Sequence, residues 1–230
     1  MSRGVQRIFS QVPHTYETIN HMLTLGMDIL WRRRAAKMAA SHGGTRWLEV
    51  CSGTSELSIY LGRLAKKQTT LVAADFCLPM LMAAAEKPDA DTLGLALADA
   101  FRLPFPDGLF DIVTVSFATR NINLNRMKLI EAFREFQRVL RPGGLFVNLE
   151  TSQPPSRIIR WLFHQYARLL VRPIGYLISG SRVGYGYLSH TVRHFHDAEI
   201  LGEILSAAGF TRVDFHRMTL GLAAIHRALK

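Results

Sequence analysis

The 230-residue sequence predicts an α/β fold built on a mostly parallel, seven-stranded sheet. Three observations carry that expectation. Short apolar runs alternate with segments of helical periodicity from residue 46 onward. The first run, Trp47 to Cys51, breaks off in the small residues Ser52-Gly53-Thr54-Ser55 before a helical pattern, and the second ends in Asp75 about twenty residues on. The last two runs are separated only by Met218-Thr219, which predicts a closing antiparallel pair. The whole reads as one domain: a helical annex (1–44), a ligand-binding core (45–150), a cap insertion (151–196), and a C-terminal helix with its strand pair (197–230).

In chain order, residues 3–43 read as helical. Ile8, Val12, Ile19, Met22, Leu23, Ile29 and Leu30 recur at mostly helical intervals, Pro13 and Gly26 divide the segment, and Gly43-Gly44 stops it. The core then alternates: strand 46–51, helix 55–66, strand 69–74, helix 77–87 and strand 94–98, followed by strand 110–116, helix 126–140 and strand 144–150. Such alternation builds parallel strands joined by right-handed crossovers. Arg141-Pro142-Gly143-Gly144 reads as a tight turn into the fifth strand. Beyond Pro154-Pro155 the rhythm breaks. Ile158, Ile159, Leu162, Phe163, Tyr166, Leu169 and Leu170 follow helical spacing with Arg160, Arg168 and Arg172 among them, and a glycine- and tyrosine-rich piece follows. This helix is read either as a cap packed on the core or as a basic amphipathic face for an anionic membrane. Helix 197–208 and strands 211–217 and 220–228 complete the chain.

A hydrophobic content of 48% and a charged content of 20% describe a globular chain with a sizeable core. The net charge of +10 points to nucleic acid, to an anionic membrane surface, or to an enzyme that is merely basic. No run of five like charges occurs, which speaks against a dedicated nucleic-acid tail. Two cysteines, Cys51 and Cys77, are too few for a disulfide framework, and no zinc spacing or carboxylate cluster is visible, so no metal is expected. No apolar leader follows Met1-Ser2-Arg3 and no run is long enough to cross a bilayer. The expected setting is cytoplasmic, extending to a peripheral position at the inner face of the membrane.

Ligands of such sheets gather at the carboxyl ends of the strands. Four features fall there: the 51–55 turn, Asp75, Asp99 and the segment Ser116 to Asn121. The turn offers backbone donors. Asp75 is placed either to accept both hydroxyls of a ribose or to cap the following helix. Together they indicate a nucleoside-containing cofactor.

Longer fragments resemble a known family. Phe9-Ser10-Gln11-Val12 through Tyr16-Glu17-Thr18-Ile19-Asn20, and Trp31-Arg32, look like the N-terminal signature of the ubiquinone/menaquinone biosynthesis C-methyltransferases. Leu48 to Thr54 is similar to that family's first cofactor motif, and Phe117-Ala118-Thr119-Arg120-Asn121 to its central motif. Tyr185 to Leu188, Arg193-His194-Phe195 and Gly221 to His226 resemble its C-terminal signatures.

The resemblance implies a Rossmann-like class I fold and S-adenosyl-L-methionine (SAM) as cofactor, giving S-adenosyl-L-homocysteine. It further implies C-methylation of a prenylated quinol, demethylmenaquinol ahead of the ubiquinone precursor. The cofactor-binding residues it implies are Cys51, Ser52, Gly53, Thr54, Ser55, Asp75, Phe76, Asp99, Ala100 and Ser116. The catalytic residues are Arg120, Asn121 and Tyr16, and the substrate-binding ones Asn20, Tyr187 and Arg193. The implied partner is a lipophilic quinol, with peripheral membrane contact and no nucleic acid; a homodimer is left open. Arg120 stays protonated, so its expected role is to stabilise a phenolate or to orient a water, against a structural salt bridge as the plainer alternative. Asn121 orients Arg120 or meets the substrate. His194 or His196 could titrate as a base, whereas His226 reads as a core residue.

One departure stands out. Where the family has Gly-Asp, this chain has Ser55-Glu56. A serine held at positive φ costs on the order of 1 kcal/mol more than glycine. Two other function classes remain open at this level: an RNA methyltransferase, suggested by the charge, and a non-catalytic SAM binder, suggested by Ser55.

Overall fold

The structure, a computed structural model, describes residues 13–171 and 182–230. A seven-stranded sheet in the order β3-β2-β1-β4-β5-β7-β6 organises it. Its strands are β1 (Arg46–Val50), β2 (Thr70–Asp75), β3 (Leu93–Leu97), β4 (Phe110–Ser116), β5 (Leu140–Thr151), β6 (Thr211–Met218) and β7 (Ala223–Leu229). The first five are parallel, and β7 runs antiparallel to both β5 and β6. The strand order reverses between β1 and β4, so the carboxyl ends of those two strands flank the natural crevice. In the register, Leu48 faces Val72 on one side and Val113 on the other.

The annex consists of α1 (Pro13–Thr24) and α2 (Met27–Ala40). Pro13 sits at the start of α1, where its missing N–H is harmless. Leu25 and Gly26 both take left-handed backbone and make the corner into α2. Gly43 and Gly44, with φ of 85° and 82°, end the annex. Only glycine fits at 44, since a Cβ there would lie 2.4 Å from the Asp111 side chain. The Asp111 carboxylate accepts the N–H groups of Thr45 and Arg46 and so pins the entry into β1.

Around the sheet lie α3 (Glu56–Gly62), α4 (Leu78–Ala85), α5 (Arg126–Val139), α6 (Arg157–Tyr166), α7 (Arg182–His194) and α8 (Ala198–Ala207). One apolar cluster, including Phe133, Phe136, Phe146 and Ile204, fills one face of the sheet. A second, with Trp31, Trp47, Leu61 and Ile225, fills the other. A third, smaller cluster forms away from the sheet, where Ile19 and Leu23 of α1 meet Ala167 and Val192 of the insertion. Annex and insertion therefore pack on each other, and the Tyr166 hydroxyl donates to the Leu23 carbonyl.

Several boundaries differ from the sequence reading. α3 ends at Gly62, four residues early. Arg141 to Gly144 lies within β5 as an irregularity, between the pairs Phe110–Leu140 and Ile112–Leu145. The link into β7 is longer than two residues: a tight turn over Thr219–Gly221, with left-handed Thr219 and Leu220, precedes the strand. His226 is a core residue, its Nε2 lying 2.8 Å from the Ala198 carbonyl.

Candidate active site

Two adjoining cavities lie at the carboxyl ends of β1, β2 and β4. The chain leaves β1 through Cys51 (φ 55°) and β4 through Phe117 (φ 53°), and the turn between β1 and α3 also holds Gly53 (φ 56°) and Ser55 (φ 61°) in left-handed backbone. Each non-glycine residue so held costs about 1–2 kcal/mol. Strain concentrated at two neighbouring strand ends is typical of a functional site.

The first cavity is a narrow cleft. Cys51, Ser52, Gly53 and Thr54 line it from the β1 turn, Asp75 and Phe76 from the end of β2, and Ser116 and Asn121 from beyond β4. Its volume is about 50 Å³, so a ligand of nucleoside size must extend along its open side. Asp75 is buried, and burial raises its carboxyl above the usual range while backbone donors oppose the shift. Its two oxygens accept the N–H groups of Gly53 and Cys77, each at 2.8 Å. Asp75 thus shapes the turn while lining the cleft. Two hydroxyls on the lining, Ser52 Oγ and Ser116 Oγ, are buried with no hydrogen-bond partner among the described residues. Buried donors of this kind call for a polar ligand, and the amino-acid and ribose groups of SAM would satisfy them.

Ser55, Asp99 and Ala100 lie beside the cleft and not on its lining. Ser55 is fully buried within the turn. Ala100 packs into the core because the chain turns inward after β3. The Asp99 carboxylate accepts the Phe101 N–H at 3.0 Å and lies near Cys51. Burial, reinforced by Asp75 and Asp99, pushes the Cys51 thiol well up.

The second cavity is wider, about 360 Å³, and overwhelmingly apolar. Annex residues such as Asn20, Leu23 and Trp31 form one wall, and Ile159, Phe163, Tyr166 and Val192 of the insertion form the other. Arg120 faces this cavity, whereas its neighbour Asn121 faces the cleft. One helical turn, Thr119–Ile122, directs adjacent side chains into the two sites. Glu150, at the end of β5, holds Arg120 at two points: its carboxylate accepts the backbone N–H at 3.1 Å and Nη1 at 2.6 Å. The salt bridge foreseen as the plainer alternative thus exists, and it presents the guanidinium at the cavity wall.

Arg32 and Phe117 belong to both linings and form the partition between them. The Arg32 guanidinium lies 4.9 Å from the centre of the Phe117 ring. It also pairs with Asp28 at 2.5 Å and Glu56 at 3.1 Å. His21 bridges the same two carboxylates, at 2.8 and 3.3 Å. Burial acts to raise Asp28, yet the Thr24 hydroxyl, Arg32 and His21 outweigh it and hold the carboxyl below its usual range. Farther along, Glu17 on α1 accepts from both the Thr54 hydroxyl and Lys87. The annex is thereby clasped onto the cofactor turn.

This network corrects one sequence expectation. His21, Asp28 and Glu56 do cluster, with possible ligand atoms all within 4.8 Å of one another. Their separation along the chain hid it. The Arg32 guanidinium already supplies a positive charge to both carboxylates. Arg32 appeared in the sequence only as part of a signature; the Asp28–Arg32 spacing of four was the legible clue.

Other candidates fall elsewhere. Arg193 does not line the wide cavity; its Nε donates to the Ser189 carbonyl one turn back. His194 Nδ1 lies 2.8 Å from the His190 carbonyl and His196 Nε2 3.2 Å from Asn123, and neither lines the cleft or the wide cavity. Tyr16 and Tyr187 are on α1 and α7, but their side chains lie outside the described residues.

The ubiE/COQ5 methyltransferase family matches residues 1–230. The chain belongs to that family. A "demethylmenaquinone methyltransferase" of Thermus thermophilus is 38% identical over 221 residues, covering 95% of this chain and 98% of the relative. A "ubiquinone/menaquinone biosynthesis C-methyltransferase UbiE" of Azotobacter vinelandii is 32% identical, covering 100% of this chain and 90% of the relative. Among solved structures, a SAM-dependent methyltransferase of Thermotoga maritima aligns with a TM-score of 0.68 at 16% identity, covering 97% of this chain and 98% of that one. One from Aquifex aeolicus aligns at 0.59 with 16% identity, covering 85% and 88%. These structures share the Rossmann-like class I fold that the strand order shows. The protein is a SAM-dependent C-methyltransferase, and the narrow cleft, with its unpartnered hydroxyls, fits that cofactor.

Proposed function

We propose that this ubiE/COQ5 family member C-methylates a prenylated quinol, converting demethylmenaquinol to menaquinol. The observation that carries this reading is the wide apolar cavity beside the cofactor cleft, the two sharing Arg32 and Phe117 in their linings among the described residues. A volume of about 360 Å³ lined by leucine, phenylalanine and tryptophan suits a flat aromatic head group with the start of an isoprenoid tail. When bound, SAM supplies a sulfonium methyl for an electron-rich ring carbon. The chain's own part is to make the carbon electron-rich and to keep water away.

Arg120 is the catalytic group in this reading. Its guanidinium, fixed by Glu150, would stabilise the phenolate left when water takes the proton of a ring hydroxyl, and water would also take the ring C–H proton that the methyl displaces. Asn20 offers a polar contact at the annex side of the same cavity. On the cofactor side, Asp75 holds the turn open for the ligand and Asn121 with Ser116 provides polar lining. The naphthoquinol is favoured because the Thermus relative, at 38% identity, carries the demethylmenaquinone name. The alternative is the benzoquinol precursor of ubiquinone, which the Azotobacter relative's name includes.

Incubation of the purified protein with SAM and each demethylated quinol, followed by mass analysis of extracted quinones, tests the proposal. Gain of one methyl by the naphthoquinol is expected. Methylation of the benzoquinol alone would reverse the head-group assignment, and methylation of neither would refute the reading.

A further inference from the structure

Helix α6, with the wider turn that continues it over Ala167–Val171, is apolar on two faces. Ile159, Phe163, Tyr166 and Ala167 turn inward onto the wide cavity. Ile158, Trp161, Leu162 and Leu169 are exposed, Trp161 by 60%. Positions 158, 161, 162 and 169 follow helical spacing and form a stripe. A helix that serves only as a cover needs one apolar face. The second is left to solvent, and no residue of α6 itself is buried. Leu162 and Leu25, the latter 85% exposed, also line the cavity, so its rim is continuous with the outward face.

Charge identifies what covers this face. From Thr151 to His196 the sequence contains no aspartate or glutamate and six arginines: Arg157, Arg160, Arg168, Arg172, Arg182 and Arg193. The insertion therefore supplies six of the ten net positive charges. Arg157 and Arg168 are exposed beside the apolar stripe. A second copy of the chain would set like charges against each other. An anionic lipid surface offers the complementary charge and, beneath it, an apolar layer for the stripe. Tryptophan favours the boundary between the two.

We propose that the outward face of α6 docks the protein onto an anionic bilayer, with Trp161 at the headgroup level and the cavity rim against the acyl chains. Its geometry is independent of the substrate, while its purpose, lifting a lipid quinol from the membrane, rests on the function proposed above.

The test uses the full chain with phosphatidylcholine vesicles, with and without phosphatidylglycerol, carrying brominated acyl chains. Trp31 and Trp47 are buried within the protein, so quenching reports on Trp161. Binding to the anionic vesicles with quenched fluorescence is expected, weakened roughly tenfold without phosphatidylglycerol or in high salt. The double variant Ile158→Glu/Leu169→Glu should lose vesicle binding and still methylate a short-tailed, water-soluble quinol at the wild-type rate, because neither residue lines a cavity. A wild-type protein that ignores anionic vesicles, or a variant that binds them equally well, would overturn the proposal. So would a stable dimer that the variant dissociates. If docking and quenching hold while no quinol is methylated, the docking face stands and the quinol reading fails.

Discussion

Nη2 of Arg32 lies 3.1 Å from Oε2 of Glu56, an ion pair that ties the annex to the first residue of the helix following the cofactor turn. Glu56 replaces the family's aspartate, and its longer side chain reaches this arginine. The same guanidinium neutralises Asp28 and covers Phe117, so a single side chain joins the annex, the cofactor turn and the partition between the cavities.

Replacing Arg32 with alanine leaves two largely buried carboxylates without their shared counter-charge. The expected loss is about 3–5 kcal/mol in denaturant unfolding, together with weaker SAM binding by calorimetry. Arg32→Lys should recover part of the stability and little of the cation–ring contact. Unchanged stability in Arg32→Ala would show that the network is incidental.

Ser55 occupies left-handed backbone, and its hydroxyl is buried with no partner among the described residues. Ser55→Gly removes both penalties. A gain of about 1 kcal/mol is expected, seen as a melting temperature raised by roughly 2–4 °C for a chain of this size. A lower melting temperature would mean that the serine is stabilised in a way the turn does not reveal.

Arg120 lines the wide cavity and not the cleft. Arg120→Ala should lower turnover on the order of a hundredfold or more and leave SAM affinity within about twofold. Because the variant strands Glu150, the double change Arg120→Ala/Glu150→Gln should restore stability without restoring turnover. An active Arg120→Ala enzyme would remove this residue from the chemistry.

Glu49 sits under the cleft, fully buried, with its carboxylate accepting the Ser58 hydroxyl at 2.5 Å. Burial pushes its pKa up to about 7, against the opposing effects of Ser58 and Arg32. Between its ordinary value and about 7, the native state keeps a proton that the unfolded chain has released. Its contribution to stability is therefore full at low pH and declines as pH rises toward 7. Glu49→Gln should abolish this decline. The wild-type-minus-variant difference between about pH 5 and about pH 8 is expected to be on the order of 3 kcal/mol in urea unfolding. A pH-independent difference would refute it.

The alternation of runs and the strand-end positions of Cys51, Asp75 and Ser116 were legible because both follow from local periodicity. So was the antiparallel close. What stayed hidden depends on three-dimensional placement. Arg120 and Asn121 are adjacent in sequence yet face different cavities, since one residue step along a helix turns the side-chain direction by about 100°. His21, Asp28 and Glu56 meet only once the annex folds over the turn. Asp75 lines the cleft at the end of β2 as expected, but the hold of its oxygens on the backbone of Gly53 and Cys77 was not visible from spacing. Arg193 resembled a binding residue, but the helix carries its side chain along its own backbone.

The wide cavity takes most of its lining from the annex and the insertion; the sheet region contributes chiefly Phe117, Arg120 and Thr151. In the function proposed above, acceptor choice is thus written chiefly in two peripheral stretches of chain, one of which also reaches the donor cleft through Arg32. Chimeras that swap residues 13–40 and 157–194 together are accordingly the natural unit for redirecting this scaffold.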